Sequence, residues 1–205
     1  MKIYTDIIQG TPEWHAVRCG KVTASRFSDV LAKGEGKTRL SYMKQLRAEK
    51  LTGLPEDSYT NSAMQWGTDH EAEARQEYAN QSGNEIVPVG FAELNEWVGC
   101  SPDGLVGDDG LVEIKCPNTE THLDYIEANK CPSGYYAQIQ GQMWITGRQW
   151  CDFVSFDPRV KVAPYFCFRC AVDKVYVKAL EVAVNKFVIE LNEMIDRISK
   201  FKGEF

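Results

Sequence analysis

The chain has 205 residues, 43% of them apolar, and a formal charge of −6. This length suits one domain with a sizeable core, and no apolar run approaches the ~20 residues needed to span a bilayer. The N-terminal MKIYTDIIQGTPEW has no signal-peptide core. The seven scattered cysteines do not form a disulfide framework, so a reducing, cytoplasmic setting is expected. The net charge argues against a nucleic-acid partner, but its distribution reverses the argument. Residues 1–50 balance at +5 and the remainder at −11, so a basic N-terminal third can grip phosphates. Uneven surface composition is the plain alternative.

In chain order, Thr11-Pro12-Glu13 predicts a helix start, with Thr11 as N-cap and Pro12 at the first helical position, and a short helix through about Arg18. A second helix is expected from near Thr23–Ser25 to Leu31. A basic, Gly-containing loop follows at Lys33–Arg39. Ser41 to about Leu51 reads as a helix closed by Gly53, and Ser62 to Asn80 as a longer one ending near Gly83. The pattern then changes to short runs rich in Val and Ile. Glu85–Val89, Trp97–Cys100 and Leu111–Lys115 read as strands separated by turn residues, among them Asp108-Asp109-Gly110. Helices are expected at about 119–128 and 133–146, and strands at Trp150–Phe156 and Tyr165–Ala171. A last helix opens at Asp173 and places Val177, Leu180, Val184, Phe187, Leu191, Ile195 and Ile198 at helical spacing. The fold class that follows is α/β: a central mixed β-sheet flanked by helices, with a crossover and a closing helix.

One constellation carries chemistry. Asp103 follows Ser101-Pro102 and precedes Gly104; ten residues on comes Glu113, then Lys115. In a strand, Glu113 and Lys115 share one face and Val112 and Ile114 the other. A hairpin turn returns Asp103 to the side of that strand. Two carboxylates on adjacent backbone segments make a hard-oxygen site suited to Mg²⁺ or Mn²⁺, and a lysine on the same face can stabilise a hydroxide or developing phosphorane charge. These are the parts that phosphodiester cleavage needs. The plain alternative is an ordinary Asp-Gly turn and a solvated Glu-x-Lys pair.

The string Ser101-Pro102-Asp103-Gly104-Leu105, then Leu111-Val112-Glu113-Ile114-Lys115-Cys116-Pro117, resembles the nuclease core of the PD-(D/E)XK superfamily. More narrowly, it resembles the phage lambda-type exonucleases, the YqaJ-like viral recombinase family. Further matches come in the family's order over roughly residues 10–160. They are Trp14-His15-x-x-Arg18-x-Gly20-x-x-Thr23-Ala24-Ser25, Trp66-Gly67 with Glu71 and Arg75, Tyr135-x-Ala137-Gln138-x-Gln140-x-x-Met143-Trp144, and Asp157-Pro158-Arg159.

The resemblance implies a restriction-endonuclease-like core in a single nuclease domain. It has an N-terminal helical DNA-contact region at about 1–83, a catalytic core at about 84–171 and a C-terminal helix at about 173–201. It implies two Mg²⁺ ions per site, with Mn²⁺ as a substitute. Asp103 would bridge them, Glu113 and the Ile114 carbonyl would hold one, and Glu71 would support the second. Lys115 would position or activate the attacking water, and Gln138 would orient groups around it. Arg18, Ser25 and Ser101 would hold a terminal 5′-phosphate, and Met64 would stand where a wedge separates the strands. Plain readings remain beside these: Glu71 as an exposed partner of Arg75, Gln138 as a helix-surface amide, Arg18 in a surface ion pair, Met64 in the core. Ser25 is expected near a helix N-terminus, where anions are favoured.

The implied activity is digestion of one strand of linear double-stranded DNA from its 5′ end to mononucleotides, leaving a 3′ single-stranded tail. The implied partners are DNA with 5′-phosphate ends, a single-strand annealing protein and two further copies of the chain in a trimeric ring, in the cytoplasm of a bacterium or phage-infected cell. A structure- or sequence-specific endonuclease and a non-catalytic DNA-end-binding scaffold are the alternatives. Cys167-x-x-Cys170 reads as structural, since a zinc site needs about four ligands. Cys100 and Cys116 are expected to pack beneath the site. His15 suits phosphate contact or packing, and His70 and His122 show no partner in the sequence pattern.

Overall fold

The computed structural model describes residues 1–32, 37–56 and 62–201. In chain order, the first half holds β1 (Lys2–Tyr4), α1 (Pro12–Arg18), β2 (Val22–Thr23), a 3-10 turn at Ala24–Arg26, α2 (Phe27–Leu31), α3 (Lys37–Thr52) and α4 (Ser62–Ser82). Then come β3 (Ile86–Val87), β4 (Phe91–Asn95), β5 (Val98–Cys100), β6 (Gly104–Val106) and β7 (Gly110–Lys115). The chain ends with α5 (Thr119–Ala128), α6 (Ser133–Thr146), β8 (Trp150–Phe156), β9 (Tyr165–Ala171) and α7 (Lys174–Ser199).

Local chemistry sets most of the helix ends. The Thr11 hydroxyl accepts the Trp14 amide at 3.4 Å to open α1, and Asp173 accepts the Val175 and Tyr176 amides at 3.0 Å to open α7. Gly53 and Gly83, with φ of +70° and +68°, follow α3 and α4 where a left-handed residue ends a helix cheaply. The expected loop at Lys33–Arg39 is corrected in part. Lys37–Arg39 are the first residues of α3, and 33–36 lie outside the described residues.

The strands form two mixed sheets among the described residues, where one was expected. The larger has the order β3-β6-β7-β8-β9, antiparallel except for β7 beside β8. That parallel step needs a crossover, which α5 and α6 supply. The smaller has the order β1-β4-β5-β2, with β2 parallel to β5. Three of its strands (β1, β2 and β4) were not expected. They are two to five residues long, too short for a period to show, and β1 and β2 are held by distant partners.

Both faces of the larger sheet are covered. Ala74 and Tyr78 of α4 pack on Val112, Ile114 and Val154. Ile139 and Met143 of α6 pack on Leu111 and Phe153 on the other face. Glu113 is therefore buried although its strand alternates apolar and charged residues. Leu180, Val184, Phe187 and Leu191 of α7 join Phe27, Tyr42 and Leu46 in a third cluster. The expected stripe stops short of its last member, since Ile198 is half exposed. No helix among the described residues is long and apolar enough to cross a membrane.

Candidate active site

The β6–β7 hairpin pairs Gly104 with Val112, Leu105 with Leu111 and Val106 with Gly110. One step beyond Gly104 the strand has ended, and Asp103 lies across from Glu113. There the Asp103 carboxylate takes over the ladder: its Oδ2 accepts the Ile114 amide at 2.6 Å. A residue facing its partner across such a ladder sends N–H and C=O out by the same edge, so the Ile114 carbonyl also leaves on the Asp103 side.

The electrostatics of this corner are tense. Burial, and then the charge of Glu113, push the Asp103 carboxyl up to about 7. Lys115 donates to Glu113 Oε1, and its ammonium stands 5.3 Å from the centre of the Tyr135 ring. Burial pulls the Lys115 ammonium down, but Glu113 and Asp103 outweigh it and the net shift is upward, so it stays charged. From α6, Gln138 Nε2 donates to Glu113 Oε1 at 2.5 Å and Gln142 Nε2 to Glu113 Oε2 at 2.7 Å. Gln138 was expected beside the site; Gln142, one helical turn on and on the same face, was not.

Glu71 meets its plain reading as the partner of Arg75, and that pair reaches the site. Arg75 Nη2 donates to its Oε1 at 2.6 Å across one turn of α4, and Arg75 Nη1 donates to the Asp103 carbonyl. The pair is thus docked on the backbone of the central carboxylate, and the charge of Glu71 adds to the upward push on Asp103.

No three His, Cys, Asp or Glu side chains converge as a metal group among the described residues. What converges is two carboxylates and, by the edge argument, the Ile114 carbonyl, all hard oxygens. Burial first, and the charge of Glu113 second, hold the Asp103 carboxyl high in spite of Lys115. Such a donor set fits Mg²⁺, which takes one or two carboxylates and keeps several waters.

A second feature adjoins this corner. A cavity of about 420 Å³ is lined by Trp14, Arg18, Thr23, Ser25, Arg26 and Met64 among others. At its wall Arg18 Nη1 donates to Ser101 Oγ at 3.0 Å, and Trp14 Nε1 donates to the same oxygen at 2.9 Å. The Arg18 guanidinium lies over the Trp14 ring at 3.9 Å. Burial lowers its pKa to about 10, which leaves it cationic at neutral pH. Arg18 is thus joined to Ser101 rather than to a surface carboxylate. Ser25 is exposed, 3.3 Å from the Thr23 hydroxyl. It sits inside the three-residue 3-10 turn, not at the N-terminus of a full helix as expected. Met64 is half exposed on the cavity wall, which overturns the core reading for it. Asp103, Glu113 and Lys115 do not line this cavity; Ser101, two residues before Asp103, connects the two features.

The discounted residues have plain roles. All seven cysteines are free thiols, and Cys100 and Cys116 are buried as expected. Cys167 is exposed and Cys170 buried, because a spacing of three puts strand residues on opposite faces. His15 packs edge-on against Trp14 and borders the cavity. The other two histidines do have partners. His70 stacks on Trp66 at 3.7 Å, and buried His122 lies 2.7 Å from Ser155 Oγ and 2.9 Å from the Ala163 carbonyl.

Fold and site together define a class. Residues 13–149 match the YqaJ-like viral recombinase domain, and the chain belongs to that family. Its structure is similar to the alkaline exonuclease LHK-Exo from Laribacter hongkongensis, at 44% identity and a TM-score of 0.87 over 93% of this chain and 97% of that one. The same exonuclease in complex with dAMP matches at 45% identity and a TM-score of 0.87, over 93% and 97% of the two chains. A phage-related exonuclease from Haemophilus somnus 129PT, 17% identical, has the same fold at a TM-score of 0.67 over 90% of this chain and 99% of that one. A comparison with curated proteins gave no match.

Proposed function

We propose that the protein is a Mg²⁺-dependent exonuclease that digests one strand of linear double-stranded DNA in the 5′→3′ direction. It releases mononucleotides and leaves a 3′ single-stranded tail for recombination by strand annealing. Family membership and the likeness to an alkaline exonuclease support nuclease chemistry on DNA. A relative that binds dAMP supports a site that accommodates a mononucleotide.

The observation that carries the reading is the Arg18–Ser101 hydrogen bond two residues ahead of Asp103. Two residues of chain reach at most about 7 Å. Groups suited to a terminal phosphate therefore stand about one nucleotide from groups suited to cutting, which is the layout an end-directed enzyme needs. Arg18 offers a guanidinium fork and Ser25 and Ser101 offer hydroxyls to a phosphate monoester. Asp103, Glu113 and the Ile114 carbonyl would hold a divalent cation, and Glu71 would support a second. A cation bound there would acidify a water and offset the charge of an in-line displacement. Lys115, held by Glu113, would position the attacking water and face the developing phosphorane charge. Gln138 orients Glu113. Met64, apolar and adaptable and on the cavity wall, would part the strands.

A trimeric ring belongs to the same reading, with basic residues lining its channel and the acidic remainder outside. So do a single-strand annealing partner and a cytoplasmic setting in a bacterial or phage-infected cell. The test is digestion of end-labelled duplex with Mg²⁺. Linear 5′-phosphorylated DNA should disappear fastest, 5′-hydroxyl DNA more slowly and closed circles not at all. Rapid cutting of circles would favour an endonuclease, and untouched linear duplex a scaffold.

A further inference from the structure

Gln142 has no part in the sequence motifs, yet its amide donates to Glu113 Oε2 at 2.7 Å. We infer that Gln142 is the positioning residue of the cation site. It fixes the inner oxygen of Glu113, so that Oε1 alone is presented toward Lys115 and a divalent cation. The inference rests on the nuclease reading above.

Three observations carry it. The first is the division of labour on one helix face. Gln138 and Gln142 lie one turn apart on α6, and their amides reach different oxygens of Glu113, Oε1 at 2.5 Å and Oε2 at 2.7 Å. The second is depth. Gln142 is 1% exposed and Glu113 is 1% exposed, while Gln138 is only partly buried. Gln142 therefore cannot reach a substrate and acts only through Glu113.

The third is an uncompensated cost. Gln142 Oε1 is buried with no hydrogen-bond partner among the described residues. Turning the amide over would set Oε1 against a carboxylate oxygen. A side chain needed only to fill this space between α6 and β7 would be apolar, with no orphaned atom. The amide is retained for the one bond it makes, and that bond holds the plane of the Glu113 carboxylate. A carboxylate locked at Oε2 cannot swing to chelate through both oxygens. It meets a cation through Oε1, at an angle set by α6.

The test is Mn²⁺ binding to the DNA-free protein, read by electron paramagnetic resonance, for wild type, Gln142→Leu and Gln142→Met, alongside digestion of linear duplex. Both substitutions keep volume and remove the amide. The expected result is a folded protein, by circular dichroism, that binds Mn²⁺ about 10–100-fold more weakly and regains digestion at excess Mn²⁺. Wild-type Mn²⁺ affinity in either folded variant overturns the inference, as does failure of both variants to fold, which would make Gln142 a residue of the fold. If wild type neither binds Mn²⁺ nor digests DNA, the nuclease reading falls first. If wild type does both and the variants match it, only the role of Gln142 falls.

Discussion

Arg18 donates a hydrogen bond to Ser101 Oγ at 3.0 Å and so ties the first helix to the chain that leads into Asp103. The two residues belong to distant parts of the sequence. Trp14 completes the joint, with its indole N–H on the same oxygen and its ring under the guanidinium. The proposed phosphate grip and the proposed cutting groups are thereby joined in one corner.

Loss of the Arg18 side chain should therefore act on end recognition more than on the cut itself. Arg18→Ala is expected to slow digestion of 5′-phosphorylated ends by about 10–100-fold, the worth of a hydrogen bond to a charged group. Digestion of 5′-hydroxyl ends, slower at the outset, should change little. Initial rates on the two substrates check this, and equal losses on both would remove the phosphate role.

Asp103 should cost the metal-free protein stability at high pH. Its folded pKa is about 7 against an ordinary 3.8, raised by burial and then by Glu113. Between those values the folded state holds the proton more tightly, so stability falls as pH rises from about 4 to about 7. Asp103→Asn escapes this loss. At pH 8 in EDTA it should melt above wild type by several degrees, since roughly 1 kcal/mol moves Tm by about 2–4 °C in a chain of this size. Adding Mg²⁺ should raise the melting temperature of wild type and not of Asp103→Asn. Thermal melts with and without Mg²⁺ decide the matter.

Asp157 behaves in the opposite sense. Burial pushes its carboxyl up, but the Arg159 side chain, the Thr119 hydroxyl and the Arg159 amide more than offset this, and the pKa falls to about 2. Arg159 Nε donates to Oδ1 at 2.7 Å and Thr119 Oγ1 to Oδ2 at 2.7 Å. A depressed carboxylate contributes stability that is present above about pH 4 and lost as pH falls toward 2. Asp157→Asn should destabilise the protein by about 2 kcal/mol at pH 7, and the gap should close near pH 2. Urea unfolding at the two pH values measures it.

Gly141 sets how closely α6 can approach α2. A Cβ there would sit 2.3 Å from Phe27 Cδ2 in the core. Gly141→Ala should cost about 1–3 kcal/mol by overpacking, and digestion should slow because α6 carries Gln138 and Gln142. Gly134→Ala, at the start of the same helix with nothing within 4 Å of an added Cβ, is the control and should leave both melting temperature and activity near wild type.

Much of the site was legible before any fold was known. Asp103, Glu113 and Lys115 ride on one hairpin, and hairpins are written in a few adjacent residues: turn formers at Asp108-Asp109-Gly110 and alternation through Leu111–Lys115. Gln142 was not legible, because a glutamine in an apolar helix has no meaning until its partner is known. The hold of Arg75 on the Asp103 carbonyl was hidden for the same reason, since a backbone acceptor leaves no mark in a sequence.

The division follows the range of the forces involved. By itself the sequence determined the helix ends at Thr11, Gly53, Gly83 and Asp173, the strands β7, β8 and β9, and the hairpin that brings the carboxylates together. Capping, left-handed glycines and side-chain periodicity all act within a few residues. Only the tertiary structure decided that a second sheet pairs β2 with β5, that both faces of β7 are covered, and that Glu113 is gripped at both oxygens. Those outcomes depend on which distant segments meet. Strands of two or three residues have too little local preference to announce themselves, and burial is a property of the packed whole.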